Sequence, residues 1–201
     1  METFPEVRDA FRNAHPDTVL VAEHMWNAQM SEGLRRGTVD VVLASCPESH
    51  PELSSRPIRR ERIVASVSKD HPAADAAEVA LCELASSESL CPPADLAPRF
   101  NHVFIGMCQA AGFDPIISRQ PLVSGWETGI VLDRDSAELV AECFAVVIPD
   151  GVVALPLMPL SYLETVVMWR TEDPPDAVLA FADAAASVFA RTLEQVSVSS
   201  R

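Results

Sequence analysis

The chain has 201 residues, 48% of them hydrophobic and 22% charged, which suits one domain or two small lobes and excludes a disordered chain. Its formal net charge of -14 repels phosphate, so nucleic-acid binding by these residues alone is not expected. The beginning of the chain carries no basic and apolar signal segment, and the apolar runs are no longer than strands. We therefore expect a cytoplasmic protein that does not use a membrane.

The first seventy residues predict two helices and three strands. Thr3 and Glu6 form a capping box, and apolar residues at helical spacing predict a helix that ends at Ala14. Asn27 can cap a second helix, which Gly37 would end in the left-handed conformation. The strands are expected at residues 18–23, 39–44 and 58–68. A helix between the first two strands predicts that these strands are parallel.

The remainder of the chain continues the mixture of helices and strands. Helices are expected at residues 81–85, 99–111 and 135–143, and a long final helix is expected from residue 176. Strands are expected at residues 90–91, 115–123, 144–148, 152–157 and 164–169. The pattern is typical of an α/β fold.

Signals for catalysis and for metal binding are weak. Five cysteines form no C-x-x-C pair and have no histidine at ligand spacing, so neither a metal nor a cofactor is predicted. Glu127 with Asp133 or Asp135 could pair as acid and base, but 29 acidic residues make such pairs common by chance. Nucleophile-elbow, phosphate-loop and zinc-protease motifs are not found. The sequence predicts that the protein is not an enzyme.

Helix starts that follow strand ends are the better candidates for a binding site, because their free N–H groups attract carboxylates. Three such junctions are residues 25–28, 98–101 and 127–128. Trp26 and Phe100 could line an apolar wall and Arg99 could add a charge. Both aromatics could equally be core residues, and for Phe100, which lies on a helical stripe, that interpretation is the stronger one.

An ordered set of motifs resembles the effector-binding domain of LysR-type transcriptional regulators. The matching segments are FRNAHPD (11–17), LRRGTVDVVL (34–43), ERIV (61–64), DHP (70–72), VALCEL (79–84) and FAVVIP (144–149). The resemblance covers about residues 3 to 190. It implies a two-lobed fold like that of type 2 periplasmic binding proteins, with two α/β lobes, two crossover strands and a ligand cleft between the lobes. Lobe one would comprise residues 1–67 with 152–201, and lobe two residues 68–151.

The resemblance also implies a site and partners. A small organic effector, carboxylated or aromatic, would contact three segments; the residues are Trp26, Asn27, Pro92, Pro93, Arg99, Phe100, Glu127 and Thr128. The domains would form a homodimer or tetramer, with the helices at residues 3–14 and 99–111 as interface candidates. DNA would be bound only through a winged helix-turn-helix domain that these 201 residues do not contain.

The sequence departs from the family pattern at three places. It begins at the helix that follows the family's first strand and serine-containing loop. The glycine-rich segment reads VAECFA (140–145), without its glycines, and the helix after Pro149 is almost absent. Two alternatives therefore remain open beside the sensor: a stand-alone solute-binding protein of the same fold and a degenerate fragment that binds nothing.

Overall fold

The computed structural model describes residues 3–118, 135–143 and 150–198, and the chain divides into two compact units. Unit 1 comprises Met1–Arg60 and Glu164–Arg201, and unit 2 comprises Glu61–Leu163. Two strands contribute residues to both units, β2 (Leu53–Ser68) and β8 (Tyr162–Arg170). The lobe boundaries expected from the family resemblance stay a prediction.

Unit 1 places its helices on a small sheet. Its elements are α1 (Thr3–Ala14), α2 (Asn27–Arg36), β1 (Val41–Ser45), the first half of β2, most of β8, and α4 (Asp176–Val198). The strand order is β1-β8-β2, and β1 runs antiparallel to β8 with Val41 opposite Trp169. Because successive strand residues face opposite sides, β1 contributes to a core on each side of the sheet.

The larger core of unit 1 lies where α1 packs against α4. Phe11 and Phe181 meet edge to face with their ring centroids 5.4 Å apart, and both side chains are buried. Ile58 and Val167 belong to the same cluster. A second cluster, formed by Leu34, Val42, Ala44, Val166 and Met168, joins the α2 side to the opposite face of the strands.

Unit 2 is built on the second half of β2. Its further elements are β3 (Val79–Ala80), a single 3₁₀ turn (Leu81–Leu84), β4 (Glu88–Leu90), α3 (Pro98–Ala110), β5 (Ile116–Ile117), β6 (Ser136–Ala141) and β7 (Val152–Met158). β2 runs antiparallel to both β6 and β7, whereas β4 runs parallel to β5 and β6. β6 therefore lies between β2 and β4.

Most predicted elements that fall on described residues are confirmed. The helices at residues 3–14, 27–36 and 99–111 form within one residue of the expected bounds. The short helix near residue 81, the strands β1, β2, β7 and β8, and the final helix also form. The strand expected at 115–123 is described only to residue 118, where it forms two residues of β5, and the strand expected at 144–148 lies outside the described residues.

Three predictions are wrong. Residues 18–23 form no strand, and Val19 and Val21 are 87% and 79% exposed. Because a strand needs a hydrogen-bonded neighbour, strand-forming side chains alone do not produce one. The expected parallel pairing of this segment with β1 is lost with it, and β1 is antiparallel to β8 instead. Finally, residues 136–141 form β6 rather than a helix, because pairing with β2 and β4 overrides the helix preference of Ala, Glu and Leu.

Candidate functional site

The start of α2 is held against the end of β1 in unit 1. The Asn27 side-chain amide donates to the backbone oxygens of Ser45 and Cys46, at 2.8 and 3.4 Å. The expected capping role of Asn27 is wrong, because the cap position belongs to Trp26, whose backbone N–H donates to Gln29 Oε1 at 2.9 Å. Asn27 instead fixes where the helix begins relative to the strand.

No side chain caps the first turn of α2. Its first N–H groups therefore remain able to donate to an acceptor from outside the helix, and the helix dipole favours an anion there. Trp26, Asn27 and Ala28 are all half-buried at this end. This arrangement gives an aromatic surface next to N–H donors, which suits a molecule with both a carboxylate and an apolar part.

A serine and a threonine extend this polar end of unit 1. Ser45 Oγ and Thr165 Oγ1 are 2.8 Å apart on paired strands, and Thr165 is buried. Cys46, directly after β1, has a φ of 52°, which turns the chain sharply away from the strand. Sequence reasoning does not identify this pair. The sequence shows only a polar residue at the end of an apolar strand. This feature indicates a contact between the two residues only when the two strands are known to be neighbours.

The start of α3 in unit 2 is also uncapped. Ala97 occupies the cap position, no side chain bonds to the first turn, and Pro98 begins the helix. Asn101 Nδ2 donates to the backbone oxygen of Pro92 at 3.0 Å and to that of Ala97 at 2.9 Å. Asn101 is itself buried, so it fixes the loop that precedes the helix. Sequence reasoning misses this residue.

The predicted site residues near α3 surround this helix start. Pro92 and Pro93 are half-buried in the loop, Phe100 is half-buried on the first turn, and Arg99 is exposed. Phe100 is therefore partly accessible at this helix start. Arg99 places a positive charge beside the helix N-terminus, so an anion that binds there would meet both the charge and the N–H groups.

Two predicted site residues, Glu127 and Thr128, lie outside the described residues. Trp26 and Asn27 belong to unit 1, and Pro92, Pro93, Arg99 and Phe100 belong to unit 2. The structure thus brings the predicted residues together as two groups, each at the uncapped start of a helix.

A small apolar cavity lies among the described residues of unit 2. This cavity has a volume of about 10 Å³ and is lined mainly by apolar side chains such as Leu84, Phe104 and Leu139. Such a space holds roughly one water molecule. Within the described ranges, no helix is long and apolar enough to cross a membrane, and no three His, Cys, Asp or Glu side chains are grouped as metal ligands.

Buried titratable groups occur in unit 2. His71 Nε2 lies 2.9 Å from Ser87 Oγ, and its Nδ1 accepts from the Ala73 backbone N–H at 3.1 Å. Because Nδ1 is an acceptor, Nε2 carries the proton and donates to the serine. Burial lowers the pKa of His71, and the charge of Asp135 opposes that shift. The imidazole is therefore a neutral structural link between Ser87 and the turn at Ala73.

The fold is the one seen in effector-binding domains of LysR-type regulators, which is of the type 2 periplasmic-binding-protein kind. The effector-binding domain of BenM, solved with its effector benzoate, has a TM-score of 0.79 and 19% identity over 94% of this chain and 86% of that one. CbnR, described as a LysR family transcriptional regulator, has a TM-score of 0.76 and 19% identity over 93% of this chain and 65% of that one.

Sequence comparison shows the family itself. The family model for the LysR substrate binding domain matches residues 2–190, and the chain belongs to that family. The Hca operon transcriptional activator HcaR of Escherichia coli (strain K12) is 32% identical over 80 residues, which are 40% of this chain and 27% of HcaR. The named relatives are transcriptional regulators. The chain spans about two thirds of the CbnR chain, and its match to HcaR spans about a quarter of that protein.

Proposed function

We propose that this chain senses a small organic metabolite and passes the signal to transcription through a DNA-binding domain that is not part of these 201 residues. The observation that carries the proposal is family membership over residues 2–190. The two uncapped helix starts support it, because each offers N–H donors beside apolar surface. The alternative of a stand-alone solute-binding protein has no observation of its own in its favour.

The effector we propose is a small carboxylate with an aromatic or apolar part. A carboxylate suits the positive ends of α2 and α3 and the charge of Arg99. Trp26 at the start of α2 and Phe100 at the start of α3 are both half-buried, and each offers apolar contact to a molecule that binds at its own helix start. Benzoate, the effector of BenM, belongs to this chemical class. Glu127 and Thr128 are proposed as further contacts on the family resemblance alone.

The proposed partners follow from the regulator's role. A net charge of -14 disfavours direct contact with phosphate, so DNA is contacted by the separate winged helix-turn-helix domain of the regulator. We propose a homodimer or tetramer in the cytoplasm, with α1 and α3 as candidate contact helices. Light scattering coupled to size-exclusion chromatography measures this directly, and a monomer at all concentrations would contradict it.

A ligand screen tests the sensing proposal. The full chain is mixed with benzoate, phenylacetate and succinate, and with benzamide as the uncharged match of benzoate, and its thermal unfolding is recorded. Since a ligand that binds only the folded state stabilises it, at least one carboxylate is expected to raise Tm and to give saturable heat in calorimetry, whereas benzamide is not. Uniform silence of the carboxylates would contradict the proposal.

A charge substitution tests where the carboxylate binds. Arg99→Gln is expected to weaken binding of the active carboxylate about threefold to tenfold, because it removes a charge next to the α3 start. Lys69→Gln removes another exposed cation of unit 2 and is the matched control, with no expected change. Equal effects of the two substitutions would show that only the net charge matters.

A further inference from the structure

Glu138 is a buried carboxyl group in the middle of the unit 2 sheet. It lies on β6, opposite Ser66 of β2 and opposite Leu90 of β4. The residue is 7% exposed, and its Oε2 has no hydrogen-bond partner. Glutamate is almost never buried without a partner, because an ionised carboxylate loses its hydration there. The burial and the missing partner both favour the neutral, protonated form.

The residue facing Glu138 provides little compensation for a charge. Ser66 is fully buried, and its Oγ has no hydrogen-bond partner either. Residues opposite one another in an antiparallel pair have Cβ atoms about 5 Å apart, so the two side chains are neighbours. One hydroxyl donates one hydrogen bond, whereas the two oxygens of a carboxylate accept about four. The serine alone cannot replace the water that an ionised Glu138 would lose.

Charged side chains on the same face of the neighbouring strands point to the same conclusion. At the corresponding positions of β4, β2 and the end of β6 lie Glu88, Arg62 and Glu142, and all three are exposed. The Nε atom of Arg62 lies 3.7 Å from Oε2 of Glu142, so this cation is paired with another carboxylate. β7 carries no charged residue. Cys91 is a further titratable neighbour of Glu138, and its pKa is raised to about 12, so the thiol is neutral.

We propose that Glu138 is a proton-operated switch within unit 2, which keeps β6 in the sheet while it is protonated and weakens the attachment of β6 to β2 and β4 when it ionises. Burial raises the pKa of Glu138 from 4.5 to about 7. The folded state therefore binds this proton more tightly than the unfolded chain does. The stability that Glu138 contributes is fully present below about pH 4.5 and is lost as the pH rises to about 7.

Hydrogen exchange in the full chain tests the switch. Exchange of the Leu139 and Val140 amides is measured by NMR at pH 5.5 and pH 8.5 in the unmodified protein and in Glu138→Gln, which keeps the shape but cannot ionise. At each pH, the exchange rate in the unmodified protein is divided by the rate of the same amide in Glu138→Gln. This ratio cancels the intrinsic pH dependence of exchange. From the two pKa values, this ratio is expected to rise roughly 30-fold between the two pH values. Glu142, an exposed carboxylate after the same strand, provides the control. The ratio of the rate in the unmodified protein to the rate in Glu142→Gln should not rise between the two pH values.

Two results would overturn the proposal. One is a ratio of the exchange rate in the unmodified protein to that in Glu138→Gln that stays constant within twofold between pH 5.5 and pH 8.5. The other is a titration midpoint below pH 5 for the Glu138 side-chain carboxyl carbon, followed by ¹³C NMR in the unmodified protein. The titration decides the question even where the substituted protein does not fold. Neither measurement uses a ligand, so the switch stands or fails independently of effector sensing.

Discussion

The two units differ in what their cores contain. Ten polar or charged side chains are buried in the described part of the chain, and nine of them lie in residues 61–163, which is unit 2. In unit 1 the corresponding buried polar residue is Thr165, and its clusters are built from aromatic and aliphatic side chains. Among the described residues, the core of unit 2 therefore contains many buried polar side chains, whereas the clusters of unit 1 are apolar.

This difference predicts different sensitivities. The stability of unit 1 depends on filled space, so truncation of large side chains should affect it most. The stability of unit 2 also depends on hydrogen bonds and on protonation, because buried polar groups are costly when their partners are lost. pH should therefore act mainly on unit 2, while unit 1 should respond to changes of side-chain volume.

Truncation in the unit 1 core should have the largest effect. Phe11→Ala removes a buried ring that contacts Phe181 and leaves a cavity between α1 and α4, which should cost about 3–5 kcal/mol. Val19→Ala, at an 87% exposed position, should change stability by less than about 0.5 kcal/mol. Urea unfolding measures both. Similar losses at the two positions would contradict the predicted apolar core.

Loss of a buried hydrogen bond in unit 2 should have a smaller but clear effect. Ser87→Ala leaves the Nε2 proton of buried His71 without its acceptor and should destabilise by about 1–3 kcal/mol. Ser86→Ala is the matched control, because Ser86 is exposed and adjacent. If thermal or urea unfolding shows no difference between them, the polar groups of unit 2 matter less for stability than their burial indicates.

Acid should act on the same histidine. Burial lowers the pKa of His71 from 6.5, so the unfolded chain takes up the proton first as the pH falls. Its contribution to stability is complete above about pH 6.5 and is lost progressively below that value. His71→Gln should reduce this acid-side slope of the unfolding free energy, and His102→Gln, at an exposed position, should leave it unchanged. An unchanged slope in His71→Gln would contradict the assignment.

A pair of glycines separates backbone strain from helix preference. Gly37 ends α2 at a φ of 70°, and an added Cβ would lie 2.9 Å from Arg170 Nη1, so Gly37→Ala should cost about 1–2 kcal/mol. Gly106 lies inside α3 with open space where a Cβ would be added, so Gly106→Ala should stabilise by about 0.5–1 kcal/mol. Changes of the same sign in thermal unfolding would contradict this contrast.

The smallest effect is expected within unit 1. Ser45→Ala removes the hydroxyl that bonds to buried Thr165 and should cost about 0.5–1.5 kcal/mol. Ser54→Ala removes a similar bond to Thr171 at an exposed position, where water can replace it. Chemical denaturation should therefore show a loss for the first substitution and almost none for the second. Equal losses would mean that burial does not distinguish the two bonds.

Sequence patterns predict the features that local chemistry determines. Helix α2 and its left-handed end follow from helix preference and from a glycine at the right position. The order of motifs is sufficient to indicate the family. Features that depend on distant partners are not predictable in this way. Residues 18–23 have strand chemistry but no paired neighbour, and Ser136–Ala141 has helix formers but two neighbouring strands.

The candidate site shows the same limit. The sequence indicates Trp26, Asn27, Arg99 and Phe100 because they begin helices, and the structure places them at uncapped helix starts. The bonds that fix those starts, from Asn27 to Ser45 and from Asn101 to Pro92, join residues 18 and 9 positions apart. Sequence patterns do not indicate such bonds, because each of these residues, taken alone, has a commoner explanation.

The central claim is that these helix starts receive a small carboxylate. Two-dimensional ¹H–¹⁵N NMR of the full chain, titrated with the carboxylate that raises Tm most, tests it directly. Saturable shifts of the backbone amides are predicted at Asn27–Gln29 and at Arg99–Asn101. The uncharged amide that corresponds to the carboxylate used, which is benzamide in the case of benzoate, should cause little change. Saturable binding that leaves both groups of amides unchanged would contradict the claim.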